Sequence, residues 1–198
     1  MIVTIGRQHG SGGHDIARLL AKELKVNCYG KELVDEAASR SNLCREVVES
    51  YDEKRVAAFV ASEPHLFGLQ GAFGLNMQAA NAQFESIRSL AEQGDAVFTG
   101  RCADYVLRDR DDLLRVFILC DLPLRVQTVM KRYSLSEDQA RKVVRQVDKD
   151  RASFYRYYTD QVWGEAGNYD LCINSARLGV EGTVEVIISC LKARKLLS

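Results

Sequence analysis

The chain reads as an α/β protein, a three-layer sandwich around a parallel five-stranded sheet. Three observations lead there. Short β-branched runs alternate with segments of helical apolar spacing. The stretches between those runs are too long for hairpins, as parallel crossovers require. The first run also passes through a glycine-rich turn directly into a helix, the layout of a phosphate cradle.

Taken in order, Ile2-Val3-Thr4-Ile5 is the first buried strand, and Ile16, Leu19 and Leu20 mark the inner face of the helix after the turn. Val26–Tyr29 is a second short strand. From Gly30 to about Gln93 the pattern is mostly helical, with short helices expected at 31–39, 43–49 and 52–61. Pro64–Gly74 reads as a loop rich in glycine and aromatics, with Phe67 expected in the core, and Met77–Glu92 as a long helix. Strands resume at Asp95–Thr99, Arg115–Cys120 and Tyr169–Ile173. Between them lie a helix at Leu122–Tyr133 and another opened by Ser136-Glu137-Asp138-Gln139, a capping-box spacing, and reaching about Tyr158. Val180–Lys195 closes the chain as a helix.

At 198 residues this is about one domain, with the helical block 30–93 inserted in it. The 27 basic and 27 acidic residues cancel, so no field of one sign recommends nucleic acid or a membrane surface as partner. No run approaches the ~18 apolar residues of a membrane span, and no charged-then-apolar leader precedes the first strand. The cysteines at 28, 44, 102, 120, 172 and 190 form no CxxC pair, so buried thiols are expected rather than metal ligands. A reduced, cytoplasmic protein is expected.

The chemistry concentrates at the expected carboxyl ends of strands, where open parallel sheets hold ligands. Gly6-Arg7-Gln8-His9-Gly10-Ser11-Gly12-Gly13 follows the first strand. If Gly12 is the last glycine of a G-x-x-x-x-G-K motif, Arg7 stands at its first glycine and Gly13 at its lysine. Asp15, two residues further, is then a candidate magnesium ligand in place of a hydroxyl. The backbone half of a P-loop is present and the side-chain half is missing or rebuilt, with Arg7, Gly10, Ser11, Gly12, Gly13, His14 and Asp15 as phosphate-binding candidates. The alternative is a glycine-rich turn that binds nothing. Gly100-Arg101 and Asn174-Ser175 end two further strands. Arg101 can fork onto an anion or merely pair with a helix carboxylate. On the long helix, Arg141, Arg145 and Asp148 share a stripe, with Arg151 at i,i+3 from Asp148, ahead of Phe154–Tyr158 and a loop holding Trp163. That arrangement suits either a lid or a solvated basic face.

Four stretches together carry a resemblance: the opening strand and loop, Val97–Tyr105, Val147–Tyr155 and Tyr169–Asn174. In this order they resemble the cytidylate kinase-like family, a branch of the P-loop nucleoside monophosphate kinases, over essentially the whole chain. The resemblance implies a P-loop-kinase-like core (1–29, 94–133, 168–198), a helical acceptor-binding insertion (30–93) and a lid (134–167). It implies ATP and Mg²⁺ as cofactors, a nucleotide or other phosphate acceptor as small-molecule partner, and phosphotransfer as the activity. A nucleotide-binding sensor with little or no turnover is the alternative. Arg101 matches an acceptor-site arginine, while Cys102 stands where true cytidylate kinases have aspartate. Asp150 and Arg151 match lid residues, Arg156 more loosely, and Lys31 lies near the place of an acceptor cation.

Overall fold

The β-branched runs pair as one parallel sheet in the computed structural model, which describes residues 1–30, 33, 35, 36, 38 and 69–197. Strand β1 (Ile2–Arg7) lies at its centre between β3 (Ala96–Thr99) and β4 (Leu113–Leu119); β2 (Asn27–Tyr29) and β5 (Leu171–Asn174) form the edges, giving the order β2-β3-β1-β4-β5. Ile2 stands opposite both Ala96 and Leu113, and Ile5 opposite Thr99 and Val116. The chain leaves β1 toward one edge and returns past it toward the other. A crevice therefore opens at the carboxyl end of β1, the switch point where such sheets take ligands.

Alternation along β1 divides the core. Val3 and Ile5 face helices α1 (Gly13–Leu24) and, near the end of the chain, α6 (Ser175–Ala193), packing with Ile16, Leu20, Val116, Ile187 and Leu191. Ile2 faces the opposite layer, where α2 (Leu69–Glu92) and the short α3 (Ala103–Val106) bury Ile87, Leu90, Phe98 and Val106. Helices α4 (Leu122–Tyr133) and α5 (Glu137–Thr159) join each other through Val126, Val129, Ala140 and Val144. Ser136 and Gln139 close a reciprocal capping box at the start of α5, as their spacing predicts.

Three expectations need correction. The backbone of residues 69–74 continues α2, so the glycine-rich loop does not extend that far, and Phe67 lies outside the described residues. The expected helices at 43–49 and 52–61 also lie outside them. Helix α6 begins at Ser175, because Asn174 accepts the Ala176 N–H and caps one turn before a break at Gly179 (φ 67°). Cys172 is exposed, because β5 is an edge strand, whereas Cys102 is buried; Cys44 is outside the described residues. No described helix is long and apolar enough to cross a membrane.

Candidate active site

The turn after β1 is tied down at several points. The Gln8 N–H donates to the Ile118 carbonyl (2.9 Å), and Gln8 Oε1 accepts from the Cys120 N–H (3.0 Å), anchoring the loop to β4. The Ser11 hydroxyl donates to the Gln8 carbonyl (2.8 Å), and the Ser175 hydroxyl donates to the Ser11 carbonyl (2.8 Å). Ser175 thus braces the loop from α6, while Asn174 caps α6 and donates to Asp121 Oδ1 (3.0 Å). Gly10 has φ 79° and passes so close to α4 that a Cβ would lie 2.7 Å from the Arg125 carbonyl oxygen. Gly12, at φ 78°, forms the N-cap of α1. Only glycine takes both positions without strain.

Helix α5 lies against this loop. Asp148 accepts from the His9 backbone N–H (2.7 Å) and from the Arg125 guanidinium, so one loop amide is taken by a carboxylate of the protein itself. Arg151, one turn on, donates from Nη1 to the Arg7 carbonyl (2.8 Å). The i,i+3 pair Asp148–Arg151 therefore faces the glycine loop, whereas Arg141 pairs with Glu137 (2.8 Å) and Arg145 is exposed.

Two histidines beside these charges are lowered in pKa, chiefly by burial. His9 is held at a pKa of about 4, first by burial and then by the charges of Arg151, Arg132 and Arg7, with Asp148 opposing them. Its ring stacks over Tyr133 at 6.4 Å, and its buried Nε2 has no hydrogen-bond partner. His14, exposed on the first turn of α1, is also lowered, by desolvation and by Arg18, Arg7 and Arg132 against the opposing Asp15. Asp15 pairs with Arg132 at 3.3 Å across an exposed gap, and such a pair is worth little on its own.

Beside the loop, one pocket gathers Arg7, Arg101 and Arg151 with Cys102, Asp104 and Tyr155. Arg101 reaches it from a left-handed turn: Gly100, Arg101 and Cys102 have φ of 72°, 54° and 56°. Consecutive non-glycine residues in that region store strain, a condition that clusters at functional sites. Arg101 is 4% exposed and donates from Nη1 to the Gly30 carbonyl (2.7 Å), bridging the ends of β3 and β2. Behind it, the Tyr155 hydroxyl donates to Asp104 Oδ2 at 2.7 Å. Burial pushes the Asp104 carboxyl up, only partly offset by that hydrogen bond. Trp163 and Tyr169 form one wall, and behind them Phe117 packs edge-on to Trp163 and tilted against Tyr169, so that a Cβ on Gly6 would meet the Phe117 ring at 2.8 Å.

Two other expected site residues, Asp150 and Arg156, do not line this pocket. Asp150 is buried and accepts from Gln146 (2.7 Å), and Arg156 is exposed near the end of α5. Lys31 lies outside the described residues. No group of three or more His, Cys, Asp or Glu side chains is placed to hold a metal among the described residues. Sequence reading missed Asp104, Tyr155 and Arg125. Asp104 carries a usable signal, standing two residues past Cys102, where the kinase motif's aspartate would be sought.

The model of the cytidylate kinase-like family matches residues 2–177. A cytidylate kinase of Methanothrix thermoacetophila is 30% identical over 108 residues, which are 54% of this chain and 61% of that one. A cytidylate kinase of Archaeoglobus fulgidus is 23% identical over 205 residues, covering 99% and 97% of the two chains. Among solved structures, an uncharacterized protein from Eubacterium ventriosum aligns over 98% of both chains with a TM-score of 0.76 and 31% identity. Shikimate kinase from Bacteroides thetaiotaomicron aligns over 97% of this chain and 98% of its own, with a TM-score of 0.56; at 14% identity that likeness is one of fold. The fold is that of the P-loop kinases, and with the family model spanning nearly its whole length the chain belongs to the cytidylate kinase-like family.

Proposed function

We propose that the chain is an ATP-dependent phosphotransferase of the nucleoside monophosphate kinase type. The observation that carries this reading is the meeting of Arg7, Arg101 and Arg151 in one pocket at the carboxyl ends of β1 and β3. Family membership and the kinase fold support a nucleotide-kinase-like function in general. The residues fit a polyphosphate. The loop is pre-shaped, α1 points its N-terminus at it, and four arginines (7, 18, 132 and 151) lower the proton affinity of the adjacent histidines.

In this reading residues 10–15 receive the nucleotide phosphates, Arg101 holds the acceptor phosphate, and Arg151 faces the group in transfer. Magnesium arrives with the nucleotide, mostly bound by phosphate and water, so the single carboxylate of Asp15 suffices on the protein side. Bound Mg²⁺ would neutralise developing charge on the phosphates. The chain's own part is positioning and fixed positive charge, the main levers in phosphoryl transfer. Trp163 and Tyr169, backed by Phe117, exclude water from one wall.

The test is a coupled ADP-release assay over a panel of nucleoside monophosphates. One or two clear acceptors are expected, with CMP not the best because Cys102 replaces the carboxylate of the cytidylate kinase motif. Arg101→Ala and Arg151→Ala should each lower kcat about 10²-fold or more while weakening ATP binding far less. An active enzyme whose kcat ignores both substitutions would refute the charge assignment. ATP binding without turnover on any acceptor would favour the sensor.

A further inference from the structure

We propose that Arg7 supplies, from the first position of the loop, the phosphate-binding cation that a P-loop lysine would supply from the position of Gly13. This rests on the reading above that the loop receives nucleotide phosphates. In the G-x-x-x-x-G-K pattern ending at Gly12, glycine is required at position 7 and lysine at position 13, and this chain has the reverse: arginine, then glycine. The structure joins the two departures in space. A Cβ on residue 13 would lie 2.5 Å from the Arg7 Cβ and 2.9 Å from its Cγ. The arginine stem therefore crosses the Cα of Gly13, in the volume that any side chain there would need. A lysine at 13 and the native Arg7 conformation exclude each other, and the absence of a Cβ at 13 is what lets the arginine through.

The stem delivers its charge to the right place. Arg7 lines the pocket with Arg101 and Arg151, and its charge reaches His9 on the loop and His14 on the first turn of α1. Those two residues bracket the cradle, so the charge that Arg7 brings past Gly13 acts at both of its ends. His14 is a poor substitute, being exposed and pushed further toward neutrality. An arginine coming from the strand side, always charged and forked, can grip two phosphoryl oxygens where a lysine would present one point charge.

The test uses calorimetric titration of the full chain with Mg-ATP and with ADP, and melting curves to verify folding. Arg7→Met keeps the stem on Gly13 and removes the charge. It should remain folded and bind ATP about 10- to 100-fold more weakly, the range of one hydrogen bond to a charged group. Gly13→Lys with Arg7 intact should lose measurable binding. The double variant Arg7→Gly/Gly13→Lys writes the standard motif and should recover affinity to within about tenfold of wild type. Should the double variant fail to fold, Arg7→Met alone decides. Wild-type affinity in folded Arg7→Met, or undiminished binding by Gly13→Lys, overturns the exchange and leaves the nucleotide reading standing. A wild-type chain that binds neither ATP nor ADP overturns that reading, and the exchange with it.

Discussion

His9 shows how much chemistry one residue of the loop collects. Its backbone N–H is held by Asp148, its carbonyl accepts from Arg125 at 3.3 Å, and burial, helped by the charges of Arg151, Arg132 and Arg7, lowers its ring to a pKa of about 4. The unfolded chain takes up a proton at this side chain as pH falls through about 6.5, whereas the folded chain resists until about 4. His9 therefore costs no stability above pH 6.5, a growing amount from 6.5 down to 4, and a constant amount below. His14, also lowered, acts in the same direction. Asp112, held at about 2 mainly by Arg110, adds its loss only below its ordinary value of 3.8. Asp104, raised by burial, works the other way and gains stability as pH falls. The histidine's part is therefore read by difference: between pH 6.5 and 4 the melting temperature of the wild type should fall relative to that of His9→Asn. A phosphate bound on the loop would oppose the arginines. NMR titration should then find the His9 pKa raised when pyrophosphate is present; an unmoved value would place the anion elsewhere.

At the scale of elements, helix ends carry avoidable strain. Helices α1, α4 and α5 finish on Lys25, Ser134 and Asp160, each left-handed with φ of 53–55°. Glycine usually fills that position, and an L side chain there costs on the order of 1 kcal/mol. Lys25 and Ser134 are exposed, so Lys25→Gly and Ser134→Gly should each raise the melting temperature by about 2–4 °C in a calorimetric scan. Elements with strong local signals were readable beforehand. Helix α4 falls on its expected bounds, with Pro123 in its first turn, and α5 starts at its capping box. Residues 69–74 were not, because Gly71 and Gly74 speak for a loop while a long packed helix outweighs a cost of about 1 kcal/mol per glycine. The site divides similarly. Arg101 and Arg151 were approachable from strand ends and the family motif. The Arg125–Asp148–His9 cluster was not, because Asp148 lies 139 positions from His9 and only the docking of α4 and α5 joins them.

For the molecule as a whole, the pocket belongs to no single element: Arg7 ends β1, Arg101 follows β3, Arg151 rides on α5 and Tyr169 precedes β5. An unfolded chain cannot assemble that set, so any ligand bound there stabilises the fold by mass action. At about 100 times its Kd, Mg-ATP should add about 2.7 kcal/mol, or about 5–10 °C in melting temperature for a chain of this size. Salt gives the shift its signature. The chain has no net charge, so general repulsion contributes little to the melting temperature of the ligand-free protein. The arginines around the loop act on a polyanion through charge, and salt screens the partly exposed ones. Raising ionic strength from about 0.05 to 0.5 M should therefore shrink the nucleotide-induced shift while leaving the ligand-free melting temperature nearly constant. Adenosine, lacking phosphates, should produce little shift at any salt. A salt-independent rise, or an equal rise with adenosine, would mean that the nucleotide is held by its base rather than by the glycine loop and its arginines.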